Sequence, residues 1–331
     1  MNALTTTLKP TQPRGLARLL PTLLRRGTVF LVLVGLGIFF ASRTERFFVG
    51  DNLVNILAQN AAIVVVATGM TLVMLQGGID LSVGSVAALA GAISAGLIVR
   101  DKWPVELGIV AGLAVGLMVG AVNGGLVVFG KLPPFVATLA SMTAVRGLVL
   151  VYTAGRPISG MGESYTFWGR GFIGPLPASV IVAASVAVMA LFILTRTRFG
   201  LHLYAIGGGE ETSRLAGVPV GRVKIQAYAV SGLLAALGGI LLTARLFSAQ
   251  PQLGVGLELD AIAASVLGGV SLFGGIGNAF SPVFGALLVG TLRNGLSLLQ
   301  VPSYPQQIIQ GVVLVSAVAV DMLAKRLERR K

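Results

Sequence analysis

The segment Gln76-Gly77-Gly78-Ile79-Asp80-Leu81-Ser82-Val83-Gly84-Ser85 places a carboxylate and hydroxyls in a break between two apolar runs. An acid at bilayer depth costs on the order of 3 kcal/mol on insertion scales, so Asp80 needs a role. Three roles suit it. It can act as an N-cap for the helix restarting toward Gly91, with Ser82 as the alternative cap; it can form a polar wall of a permeation path; or it can relay protons. Gly77 and Gly78 weaken the helix before it. Gly268-Gly269-Val270-Ser271-Leu272-Phe273-Gly274-Gly275 repeats the pattern G-G-x-x-L-x-x-G in the other half. Glycine-broken segments in corresponding places of two halves point to a transport site. Gly77, Gly78, Asp80, Ser82, Gly268, Gly269 and Ser271 are therefore the candidate path residues.

Other chemistries find little material. His202 is the sole histidine and there is no cysteine. Multi-histidine metal sites, disulfides, iron–sulfur ligation and thiol nucleophiles are thereby excluded, and catalytic triads find little support. Gly125-Leu126-Val127-Val128-Phe129-Gly130-Lys131-Leu132 nearly matches the phosphate-binding pattern G-x-x-x-x-G-K-[ST]. Leu132 stands where the Mg²⁺-binding hydroxyl belongs, and the preceding residues read as helix rather than strand. No catalytic residue, metal or cofactor is expected.

The elements that must position these residues are membrane helices. The 331 residues are 55% hydrophobic and 11% charged, with a mean hydropathy of +0.88. Soluble domains carry about 25% charged residues. The expected fold is all-α: a polytopic helical bundle of about ten crossings, with glycine breaks near 77–84 and 268–275. Apolar runs lie near 27–41, 53–75, 81–99, 107–129, 135–152, 176–194, 225–246, 257–273, 279–299 and 303–323. The first run lacks a small-x-small cleavage site and reads as a retained span rather than a signal peptide.

The net charge of +13 lies mostly at the ends of spans, which argues against a nucleic-acid partner. With the N-terminus in the cytoplasm, inner segments hold 16 Lys/Arg, outer segments and their borders 8, and Arg146 falls within a span. That bias follows the positive-inside rule and favours an even number of crossings, with both termini cytoplasmic. The expected divisions are a basic segment 1–26, a transmembrane domain 27–323 and a basic tail 324–331. The fourth run carries Gly108, Gly112, Gly116, Gly120 and Gly124, a bare stripe suited either to internal packing or to pairing two chains.

Between Arg196 and Lys224 lies a 29-residue polar island. Glu210 to Gly217 reads as a short helix, with Glu210 and Glu211 at its positive end and Gly217 at C′. Glu210 and Arg214 are spaced for an ion pair. Gly207-Gly208-Gly209 reads as a flexible lead-in, and Leu215 and Val218 as side chains left for a partner. A loop of this length inside a membrane bundle usually serves a purpose, and docking to a cytoplasmic protein suits it.

Several blocks carry a family resemblance. Gly77 to Ser85, Leu132 to Leu139, Arg198-Phe199-Gly200 with Tyr204 to Gly208, Glu258 to Ala264, and Asn294 to Leu299 followed by Ser303-Tyr304 occur in order. Together they resemble permeases of ribose-, xylose- and arabinose-type ABC importers, from about residue 50 to 320. The resemblance implies a second permease chain, a separate ABC ATPase subunit and a periplasmic sugar-binding protein, around a permease in the bacterial inner membrane. It implies that Gly207, Gly208, Glu210, Glu211, Arg214, Leu215 and Gly217 couple to the ATPase. It also makes Arg43, Arg46, Arg156 and Arg170 candidates for pairing with acids on the binding protein. Gly209, Thr212-Ser213, Phe273, Ile276, Asn278 and Pro305 depart from the usual pattern. Two rivals stay open: an ion-coupled transporter, for which Asp80 is almost the only deep titratable group, and a permease for branched-chain amino acids or another small polar solute.

Overall fold

The computed structural model describes residues 16–302, 304–312 and 315, and the side chains from residue 30 onward. The tail 324–331, Ser303, most of the last expected span and much of the segment 1–26 fall outside the described residues.

The molecule is mostly helical. Its long elements are α1 (Leu16–Arg43), α2 (Gly50–Leu75), α3 (Val83–Val99), α4 (Val105–Val128), α5 (Pro134–Thr153), α7 (Ala178–Arg196), α10 (Val220–Leu246) and α12 (Ser281–Leu298). Shorter helices are α6 (Glu163–Arg170), α8 (Arg198–Gly208), α9 (Glu210–Leu215) and α11 (Leu257–Leu267), and 304–312 is also helical. The exceptions are two two-residue antiparallel ribbons. β1 (Ile158–Ser159) pairs with β4 (Ser248–Ala249), and β2 (Phe172–Ile173) with β3 (Leu176–Pro177).

Among the described residues, α2, α4, α5, α7 and α10 are long and apolar enough to cross a membrane, while α3 and the 30–43 part of α1 are shorter apolar helices. These helices do not establish the expected count of ten. The chain is a multi-pass membrane protein whose centre is α2, α3 and α10, with α4, α5 and α7 around it.

Small residues set that arrangement, because lipid supplies no hydrophobic drive between helices and close packing must replace it. The stripe on α4 is buried along its length. A Cβ at Gly112 would meet the Ala90 carbonyl of α3, one at Gly120 the Tyr228 carbonyl of α10, and one at Gly124 the Ile225 Cα. The stripe therefore packs within the chain; pairing of two chains is not its role. On α10, Gly232 and Gly239 reciprocate against Gly116 and Ala87.

Candidate functional site

Both glycine breaks stop their helices by the same device. At the end of α2, Gly78 N–H donates to the Val73 carbonyl and Gly77 N–H to the Met74 carbonyl. At the end of α11, Val270 N–H donates to Ser265 and Gly269 N–H to Val266. These are Schellman motifs, which need a left-handed residue at C′. Gly77 (φ 81°) and Gly269 (φ 99°) supply it. The equivalent residues are thus Gly77 and Gly269, one position away from the Gly77–Gly268 alignment that the sequence pattern suggests. Because the cap closes at Gly269, α11 ends at Leu267, short of the expected 273.

After the first cap, Asp80 is wholly buried. Its Oδ1 accepts from the Ser82 N–H (3.0 Å) and the Ser82 hydroxyl (2.6 Å). Its Oδ2 accepts from the Ser231 hydroxyl of α10 (2.8 Å). Asn123 of α4 donates to Ser82 Oγ (2.8 Å). The network ties the break to two neighbouring helices. Ser82 occupies the N-cap position of α3, but no side chain caps that helix, because the Ser82 hydroxyl is committed to Asp80. Ser231 is the twelfth residue of α10, so at 1.5 Å per residue the carboxylate meets that helix about 16 Å from its N-terminal start, beside the island.

The second break has no carboxylate of its own. Ser271 is buried and, among the described residues, its Oγ accepts from Phe273 N–H at 3.3 Å. Ser271 N–H donates to Ile276, closing a tight loop that leaves Phe273 80% exposed. Gly268 packs directly on Ser281 at the start of α12. A second acid, Asp260 in the first turn of α11, is partly exposed and paired with Arg293 of α12 (2.8 Å), and Gln310 bonds both. Arg293 thus lies within α12, held inside the bundle by this pair. Arg146, mid-helix in α5, donates to the carbonyls of Pro251 and Leu253 and holds the approach to α11.

The island is helical rather than a loop. Gly207 and Gly208 close α8 instead of forming a flexible lead-in, and Gly207 has a reason to be bare. A Cβ there would strike the Leu75 carbonyl of the first break and the Gly275 N–H of the second. Those two groups are themselves hydrogen-bonded (2.9 Å). Gly274 fits against Gly77 and Gly207, and Tyr204 of α8 donates to the Gly277 carbonyl (3.0 Å). The three segments meet backbone to backbone. A Cβ at Gly208, by contrast, would meet nothing.

Beyond that junction, Gly209 leads into α9. Its end is a third Schellman motif, Val218 N–H to Ser213 and Gly217 N–H to Arg214, with Gly217 (φ 83°) at C′ as its position suggests. Arg214 pairs with both Glu210 and Glu211 at 3.2 Å. Lys224 of α10 also pairs with Glu210, a contact that sequence spacing did not signal. Leu215 is 82% exposed. Val218 packs against the buried cluster around Leu203 and Val223, so it is not left for a partner.

Arg43, Arg46, Arg156 and Arg170 are exposed and lie at the opposite end from the island. Arg170 stacks over Phe247 (4.2 Å) and donates to the Arg245 carbonyl at the far end of α10. Arg43 lies over Phe39 (5.6 Å). Arg156 precedes β1, which joins the strand following α10. Among the described residues, no group of three or more His, Cys, Asp or Glu could hold a metal ion.

The family described as "Branched-chain amino acid transport system / permease component" matches residues 52–318. The chain is 48% identical to the ribose import permease protein RbsC of Bacillus subtilis, over 88% of this chain and 91% of that protein. It is 45% identical to the ribose import permease protein RbsC of Escherichia coli strain K12, over 84% and 88%. It is 36% identical to the D-allose transport system permease protein AlsC of the same strain, over 91% and 92%. No solved structure matches this chain.

Proposed function

The chain belongs to the branched-chain amino acid transport system permease component family, and from that premise we propose that it is the permease subunit of a binding-protein-dependent ABC importer for ribose or a related monosaccharide. Its similarity to sugar permeases outweighs the amino-acid wording of the family description, since the ribose relatives cover most of both chains. The permease lies in the bacterial inner membrane with both termini in the cytoplasm, beside a second permease chain. A separate ATPase docks on the island and drives alternating access, and a periplasmic sugar-binding protein docks on the face carrying Arg43, Arg46, Arg156 and Arg170.

One observation supports the coupling above all: Gly207 touches both breaks through backbone atoms. Packed backbone cannot give way like a flexible side chain, so a push on α9 and α8 reaches Gly77 and Gly274 together. Exposed Leu215 and Arg214 offer the ATPase an apolar knob beside a charge. Asp80 and Ser82 hold the first break in shape, and the solute passes beside the breaks when the helices shift.

The test is reconstitution with the ATPase and binding protein in liposomes. Ribose uptake is expected to require ATP and to survive a protonophore. Arg214→Glu is expected to lower solute-stimulated ATP hydrolysis several-fold while the protein stays in the membrane. Uptake that persists without any ATPase, or collapses with the proton gradient while ATP is held constant, would favour the ion-coupled rival.

A further inference from the structure

Gln76, the residue that closes α2, is 5% exposed, and neither its amide nitrogen nor its carbonyl oxygen has a hydrogen-bond partner among the described residues. A buried amide without partners is costly, so native structures seldom keep one without a reason. Gln76 lines a small cavity with Gly77, Gly78, Val127, Pro134, Lys224 and Tyr228. The cavity volume is about 20 Å³. A single water needs roughly 10–15 Å³ and two to four polar partners. A sugar could not fit.

The lining supplies those partners. Gln76 offers both a donor and an acceptor. Lys224 has three N–H donors, of which its bond to Glu210 uses one. Lys224 and Tyr228 are four apart on α10 and share a face. Glu210 already balances the Lys224 charge, which favours a neutral occupant over an anion.

We infer that an ordered water sits between Gln76 and Lys224, and that it completes a polar strut from Glu210 on α9, through Lys224 on α10, to the end of α2 at the first break. This rests on the docking reading of the island and adds a second link beside the glycine junction. The junction transmits contact between backbones; the strut transmits the position of a charge. Lys224 and Gln76 act as positioning residues, since neither touches the solute.

The experiment uses the full importer in liposomes and counts ribose transported per ATP hydrolysed. Gln76→Met and Lys224→Met keep side-chain length and remove the polar ends. Each is expected to lower that ratio by about threefold, and the double variant by no more than either alone, because one link can be cut only once. The water has its own readout. Tyr228, 1% exposed, is expected to be labelled by hydroxyl radicals generated by an X-ray pulse in the unaltered chain, and labelled less in Gln76→Met. Absence of labelling in the unaltered chain overturns the water, and losses that multiply in the double variant overturn the strut. If Arg214→Glu impairs stimulated hydrolysis while Gln76→Met and Lys224→Met leave the ratio unchanged, the strut is wrong and the docking surface stands. If Arg214→Glu also has no effect, the docking reading fails and the strut with it.

Discussion

The two glycine breaks stop their helices identically and are then fastened by opposite means. The first is sealed by side chains: Asp80, Ser82, Asn123 and Ser231 bind it to α4 and α10 inside the bundle. The second is held chiefly by backbone, through Ser271–Ile276 and Gly275–Leu75, with one side-chain bond, from the Tyr204 hydroxyl of α8 to the Gly277 carbonyl. A buried hydrogen-bonded network is rigid and specific, although the Asn123 Oδ1 has no partner among the described residues. A loop held by a few backbone contacts, with Phe273 and Ile276 turned outward, resists displacement less. The difference assigns the first break to the frame of the bundle and the second to the island that leans on it.

The strongest way to break this contrast is at Asp80. Asp80→Leu strands the Ser82 N–H and two hydroxyls in apolar surroundings and should cost on the order of 3 kcal/mol. Folded protein in the membrane should fall sharply, as read by yield and thermal unfolding. Asp80→Asn keeps an acceptor for Ser82 and a donor for Ser231, and should retain most assembly and some transport. Normal uptake by Asp80→Leu would show that side chains do not anchor the first break.

A gentler comparison removes the matching hydroxyls. Ser82→Ala breaks the link between Asp80 and Asn123 and should cost about 2 kcal/mol. Ser271→Ala loses one 3.3 Å contact and should cost about 0.5 kcal/mol or less. Equal shifts in unfolding temperature would erase the distinction.

Much of this was legible from residue types. A lone acid in an apolar stretch is costly enough to demand partners, and Asp80 has them. Gly217 followed from a short helix that had to stop. The glycine period on α4 gave the buried face but not its partner, because periodicity describes one helix and α10 lies about a hundred residues later. Ser231 and Lys224 carried no signal for the same reason. The repeat of G-G-x-x-L-x-x-G slipped by one residue because the pattern records glycines, whereas the cap selects the glycine with positive φ. Gly207 misled in the other direction. Its low helix propensity suggested flexibility, yet it is helical, and it is bare so that two breaks can touch it.

The most direct measurement is ribose transported per ATP hydrolysed by Gly207→Ala in the reconstituted importer, with folding checked by thermal unfolding. A methyl group there must part the Leu75 carbonyl from the Gly275 N–H. Hydrolysis should continue while transport per ATP falls by about tenfold. A folded Gly207→Ala variant with an unchanged ratio would contradict transmission through this junction.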